Sequence, residues 1–96
     1  MLSKRIHALR LATGWSQVEL ASRLGVAKQT VSNWENDNIQ PSIDMLVRLA
    51  NTFGVTTDYL LGLENTLRLD VSGLPESAVA HLALLAEDLR SMQSGQ

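Results

Sequence analysis

The sequence predicts an all-α protein: one domain of five short helices over residues 1–63, followed by a C-terminal strand and helix over 64–96. Three observations carry that expectation. Glycines at 14, 25, 54 and 62 divide the first part into short segments whose apolar residues recur every three or four positions, the spacing of helices with one buried face. Serine or threonine stands ahead of most segments, where a helix needs an acceptor for its unpaired amides. Past Gly62 the pattern changes to a period of two, then to one longer helical run.

The first helix is expected from Leu2 to Thr13, with Ser3 as its cap, Ile6, Leu9 and Thr13 on one face, and Gly14 as its stop. Trp15 leads into the second. Ser16 and Glu19 have the S-x-x-E spacing of a capping box, in which each side chain satisfies a backbone donor of the other's turn. Leu20, Ala21 and Leu24 supply the buried stripe, and Gly25 ends the helix in the left-handed position. A third helix runs from about Lys28 to Asn36, with Val31 and Trp34 turned inward beneath Val26 and the cluster Asn36-Asp37-Asn38 closing it. After Pro41, Ser42 caps a fourth helix with Leu46, Leu49, Ala50 and Phe53 at i, i+3, i+4 and i+7, ending at Gly54. Thr56 or Thr57 caps a short fifth helix, Asp58 to Leu61.

In the last third, Leu67, Leu69 and Val71 alternate with Arg68, Asp70 and Ser72, the period of a strand with one apolar side. A lone strand is unstable, and nothing else in the chain has strand character, so a second copy of the same segment is the simplest partner. Pro75 and Glu76 suit the first turn of a sixth helix reaching about Met92, with Ser91 to Gln96 as a frayed tail. Along that helix Ala78, Leu82, Leu85, Leu89 and Met92 step by four and three, a seam like a coiled coil's but two heptads long. Leu67, Leu69, Val71, Leu82, Leu85 and Leu89 are therefore expected to form a homodimer interface, with folding back on the same chain as the alternative for the seam.

Composition narrows the function. Apolar residues make up 45% of the chain and charged residues 19%, as in ordinary globular proteins, and no stretch approaches the roughly 20 apolar residues of a membrane span. The start Met1-Leu2-Ser3-Lys4-Arg5 lacks the apolar core of a secretory signal, which predicts a cytoplasmic protein with no membrane association. There is no cysteine, and His7 and His81 lie in separate segments without carboxylates at ligand spacing, so neither metal nor cofactor is expected. No nucleophile and base, carboxylate pair or metal cluster is present to make an enzyme. The net charge of −2 hides an asymmetry. Residues 1–40 hold five cations, Lys4, Arg5, Arg10, Arg23 and Lys28, against Glu19, Glu35 and Asp37. Residues 41–96 reverse it, with Arg48, Arg68 and Arg90 against Asp44, Asp58, Glu64, Asp70, Glu76, Glu87 and Asp88. An anionic partner suits the N-terminal half alone.

The stretch from Gln17 to Glu35 carries the chemistry. Ala21 is small where two helices must approach, Gly25 makes the sharp turn, and Val26 and Val31 pack beneath, so that the second helix projects a polar face. That face comprises Lys28, Gln29, Ser32 and Asn33, whose ammonium and amide groups match base edges: Gln or Asn to adenine, Lys to guanine. Thr30 is placed to touch a thymine methyl or a phosphate. The competing reading is an ordinary solvated helix face, and for Trp15 and Trp34 core or rim packing is preferred over base stacking.

Residues 3–62 resemble the lambda-repressor and Cro-like helix-turn-helix family, also called the Xre family. The likeness is carried by Leu20-Ala21, the Gly25 turn, Trp34-Glu35 and Pro41-Ser42. It implies a five-helix domain that binds double-stranded DNA, with Gln17 and the amides of its helix on a phosphate, and Asn36 and Asn38 on the backbone across the groove. It also implies a structural pair between Arg10 and Glu35. Two departures bear on affinity. Ala27 replaces the usual serine or threonine cap of the recognition helix, and the loop from Asn36 to Gln40 holds Asp37 and no cation. The segment from Leu69 to Leu74 and the helix after it are similar to an extension on a subset of these regulators, in keeping with a dimer. The function expected is a sequence-specific transcriptional regulator, a repressor, bound to a palindromic operator as a homodimer. Lys28, Gln29, Ser32 and Asn33 read bases, and Gln17, Thr30, Asn36 and Asn38 hold phosphates. The alternative is a protein-interaction module such as an antitoxin-like partner protein, which the acidity of residues 41–96 keeps open.

Overall fold

The computed structural model describes residues 1–68 and 70–94, and its elements are six helices: α1 Leu2–Thr13, α2 Gln17–Leu24, α3 Lys28–Glu35, α4 Ile43–Phe53, α5 Thr57–Leu60 and α6 Glu76–Ser94. Local chemistry explains most boundaries. The Ser16 hydroxyl accepts from the Glu19 amide at 3.1 Å while the Glu19 carboxylate accepts from the Ser16 amide at 2.9 Å, closing the capping box ahead of α2. Ser42 and Thr56 accept in the same way from Met45 and Tyr59 at the starts of α4 and α5. α2 ends on Gly25 at φ 72°, where the Gly25 and Val26 amides turn back to Ser22 and Ala21 and reverse the chain. The start of α1 differs from expectation: its cap position is Met1, with no side-chain hydrogen bond, and Ser3 lies inside the helix. α5 begins and ends one residue earlier than expected, and α6 runs to Ser94, past the expected end; Gly95 and Gln96 of the expected tail lie outside the described residues.

α1 to α5 share one core of Ile6, Leu20, Ala21, Leu24, Val31, Trp34, Leu49, Ala50 and Leu60, with Leu9, Trp15, Val26, Leu46 and Phe53 around it. Each fully buried aliphatic side chain stabilises the domain by about 1.5–3 kcal/mol. Because Ala21 is small, α2 and α3 cross closely over Val31. Trp15 stacks on Phe53, ring centroids 6.0 Å apart, with the Arg23 guanidinium 4.1 Å over the indole, so this ring serves packing.

The expected C-terminal strand is absent: among the described residues none is in a strand, and Leu69, at its centre, lies outside them. The alternation of Leu67 and Val71 with polar residues is present, but a strand needs a neighbouring backbone and none of the described residues supplies one. Side chains of the domain hold the start of this segment instead. Arg5 donates to the Glu64 carbonyl at 3.1 Å and to Asn65 Oδ1 at 3.2 Å, and the Thr56 hydroxyl donates to Glu64 Oε1 at 2.6 Å. Leu67 lines a shallow surface hollow with Leu9 and Tyr59, more than half exposed, and Val71 is half-buried. Asp70 then accepts from the Ser72 amide at 2.9 Å and Gly73 takes φ 84°, which turns the chain into α6.

α6 projects from the domain. The radius of gyration is 15.3 Å, against about 12.5 Å for a compact domain of this length, and Leu82, Leu85, Leu89 and Met92 all stay exposed.

Candidate nucleic-acid interface

α2 and α3 form one rigid unit because both ends of their connection are fixed. Gly25 supplies the left-handed turn, and Val31 and Trp34 bury the inner side of α3. The outer side is then set by the helical period. Lys28 and Gln29 are exposed, and Ser32 and Asn33, one turn later, are half-buried at the same face, so the structure brings the four expected base-reading residues together. Gln29 Nε2 donates to Asn33 Oδ1 at 3.1 Å, which joins two amides of adjacent turns into one plane of polar groups. No side chain caps α3 at Ala27, and the Thr30 and Val31 amides turn to the Ala27 carbonyl instead.

The backbone-contact candidates lie on two flanks. Asn36 and Asn38 stand in the tight turn after α3, both exposed: Asn36 Nδ2 donates to Ser32 Oγ at 3.3 Å, and the Asn38 amide donates to the Asn33 carbonyl at 2.9 Å. Asp37 takes φ 60° between them, a left-handed position that aspartate tolerates better than most residues. Thr30 is half-buried in α3. Gln17, the first residue of α2, is half-buried, and its Nε2 donates to Glu35 Oε1 at 3.1 Å. One of its two amide hydrogens is thereby taken inside the protein, and the second remains for a ligand.

Glu35 is the hub of this flank. Arg10 Nε donates to its Oε2 at 2.6 Å and Arg10 Nη2 to its Oε1 at 3.0 Å, while Arg10 Nη1 holds the Trp15 carbonyl at 2.8 Å. His7 Nδ1 lies 2.8 Å from the same Oε1. Burial alone would raise the Glu35 carboxyl, but hydrogen bonds from Arg10, His7 and Gln17, with the Arg10 charge, outweigh it and push the group down to about 2. Arg10 is raised in turn, first by its hydrogen bond to Glu35, against desolvation. The pair fastens α1 to the end of α3 and, through Gln17, to the start of α2, so the groups expected to grip backbone and bases are set by one carboxylate. Two residues escaped the sequence reading. His7 shows no local signal, since its partner is 28 positions away, and Arg5 reaches Tyr59, Glu64 and Asn65, with its guanidinium 4.0 Å over the Tyr59 ring.

Among the described residues no three His, Cys, Asp or Glu side chains converge as a metal site, and no helix is long and apolar enough to cross a membrane.

Comparison with known proteins follows the same outline. The helix-turn-helix family model matches residues 6–60, more than half of the chain. ImmR, an HTH-type transcriptional regulator of Bacillus subtilis (strain 168), is 41% identical over 61 residues, which is 64% of this chain and 48% of that protein, so the chain spans about half the length of this curated relative. Among solved structures, SinR, the master regulator for biofilm formation, in complex with DNA, superposes with a TM-score of 0.59 at 35% identity, covering 64% of this chain and 98% of that one. The P22 c2 repressor protein in complex with a synthetic operator gives 0.60 at 28% identity, covering 62% and 91%.

Proposed function

We propose a function that proceeds from one established premise, that the chain belongs to the helix-turn-helix family of DNA-binding transcription regulators: it is a cytoplasmic repressor that binds a palindromic operator as a homodimer. The observation that carries this is the outward strip of α3, where Lys28, Gln29, Ser32 and Asn33 stand clear of the core. With Gln29 Nε2 donating to Asn33 Oδ1, the outward atoms left are the Gln29 carbonyl oxygen, an acceptor, and the Asn33 amide nitrogen, a donor. Adenine presents the complement in the major groove, a donor at N6 and an acceptor at N7. Gln17 and the amides at the start of α2 hold a phosphate on one side, Asn36 and Asn38 one on the other, and Thr30 a third. The likeness to a repressor solved on its operator supports repression.

The homodimer rests on α6. Leu82, Leu85 and Leu89 are all exposed on one helix at heptad spacing, a self-complementary face that two copies bury against each other. Two recognition helices would then sit about 34 Å apart, one helical turn of DNA. The same exposed face favours, as the second reading, a protein-interaction role with a different protein on α6. One experiment separates them. Sequences are selected from a random DNA pool by the full chain and by Gln29→Ala, and molar mass is measured by light scattering for the chain and for a Leu82→Glu, Leu89→Glu variant. A palindromic consensus, its loss in Gln29→Ala with self-association intact, and dissociation of the α6 variant are expected. A monomeric chain, or a Gln29→Ala variant with unchanged sequence preference, would refute the respective part.

A further inference from the structure

Glu35 holds one side chain for which DNA binding as described above has no use. His7 keeps half of its surface exposed, at 50%, although its Nδ1 sits 2.8 Å from Glu35 Oε1. Because that carboxyl stays ionised down to about pH 2, Nδ1 carries a proton and donates it to the oxygen. This fixes the ring. The other nitrogen, Nε2, lies on the far edge of the imidazole, directed away from the carboxylate, and makes no hydrogen bond among the described residues. Gln17 Nε2 donates to the same Oε1, so an imidazole edge and a carboxamide stand side by side on one acceptor, at the first turn of α2.

We propose that His7 is a further phosphate contact: as an imidazolium, its Nε2–H donates to the backbone phosphate held by the second amide hydrogen of Gln17 and the α2 amides, so that each protomer takes up a proton on binding DNA. The inference rests on the DNA-binding function proposed above. The groups facing His7 set the charge balance. From α3 comes the Glu35 carboxylate, from α2 the neutral Gln17 amide, and from α1 Arg10, whose Nη2 is 3.3 Å from Nδ1, with the exposed Lys4 three residues earlier on the same helix. Arg10 already answers the Glu35 charge with two hydrogen bonds, so an imidazolium beside it lacks a second anion. A phosphate supplies it. Imidazole is the side chain that changes charge between about pH 5 and 8, and by linkage a proton bound with DNA makes affinity rise as pH falls. A charge-assisted contact also displaces a counterion, adding about 0.9 to the salt slope per phosphate neutralised.

The test measures binding of the full chain to a labelled duplex bearing its selected sequence, by fluorescence anisotropy at pH 8.0 and pH 5.5 over a series of salt concentrations. Expected is at least a threefold tightening at the lower pH with a salt slope steeper by about 0.9 per protomer. His7→Gln keeps a hydrogen-bonding group for Glu35 and should bind with neither change, whereas His81→Gln, on α6, should keep both. Circular dichroism at each pH checks that His7→Gln is folded, and His7→Lys restores the steeper slope at both pH values. If the wild type binds its sequence without pH dependence, or His7→Gln retains the pH and salt responses, the His7 assignment is overturned while the DNA-binding function stands. If no duplex is bound at either pH, both fall.

Discussion

Replacing Arg10 by methionine isolates what the buried pair contributes, since methionine refills most of the space of the arginine stem while removing the guanidinium. The perturbation leaves the Glu35 carboxylate, 3% exposed, with only the donors of His7 and Gln17, and it strips the Trp15 carbonyl of its partner. Breaking a buried ion pair from one side costs about 3–5 kcal/mol, because the surviving charge stays desolvated. The two remaining donors place this case at the lower end, about 3 kcal/mol, out of a total of roughly 5–15 kcal/mol for a domain. For a domain of this size each kcal/mol moves the melting temperature by about 4–8 °C, so Arg10→Met should melt at least about 12 °C below the wild type at neutral pH. The pH dependence carries a second signature with a definite sign. In the wild type the Glu35 carboxyl is lowered from 4.5 to about 2, so its contribution is complete above about pH 4.5 and is lost as pH falls toward 2. In the variant, burial is no longer outweighed by the guanidinium, the carboxyl rises, and protonation relieves the folded state as pH falls. The gap in melting temperature between the two proteins should therefore narrow between about pH 7 and pH 4, measured by circular dichroism. A gap within about 3 °C at neutral pH, or one that widens in acid, would refute the view that Arg10 and Glu35 lock α1 to α3.

Two further outcomes follow from other parts of the domain. Gly25→Ala, at φ 72° with nothing within 4 Å of an added Cβ, should cost about 1 kcal/mol from backbone strain alone, read by urea denaturation; an unchanged midpoint would mean that the turn relaxes. DNA affinity should fall with salt only shallowly, the logarithmic slope being about −5 or smaller in size for a dimer at pH 8. The proposed backbone contacts Gln17, Thr30, Asn36 and Asn38 are uncharged and Lys28 is the one cation of α3, so few counterions are displaced; a slope near −10 would show that other cations dominate.

The parts of this structure legible in the sequence are those whose cause lies within one turn of chain. The capping box at Ser16 and Glu19, the glycine turn at Gly25 and the Ser42 cap each follow from neighbouring residues, and the structure has all three. The polar strip of α3 was legible for a related reason, because burying Val31 and Trp34 leaves a single side for Lys28, Gln29, Ser32 and Asn33. Arg10 and Glu35 are 25 positions apart, and only the family resemblance joined them in advance. His7 and Arg5 had no such help: each is an ordinary helix-surface residue by its spacing, and its partners lie 28 to 60 positions away. The strand at 67–71 failed for the opposite reason, since alternation describes a segment while pairing requires a second one, and the pattern cannot say that the second exists.

A proposed reading strip with Lys28 as its one cation has a consequence for how the protein would work. A reading face made chiefly of amides discriminates bases through paired donors and acceptors, about 1–3 kcal/mol for each good pair, yet draws little from the charge of the duplex. One domain of this kind would bind weakly, and the proposed dimer would add affinity by making the second binding step intramolecular at about millimolar effective concentration. α6 stands outside the domain, on a connecting segment whose start is held by Arg5 and Thr56. The proposed leucine face is thus free to join two copies without touching the α3 strip. Division of labour of that sort predicts that variants in α6 weaken binding to every sequence alike, while variants in α3 change which sequence is chosen.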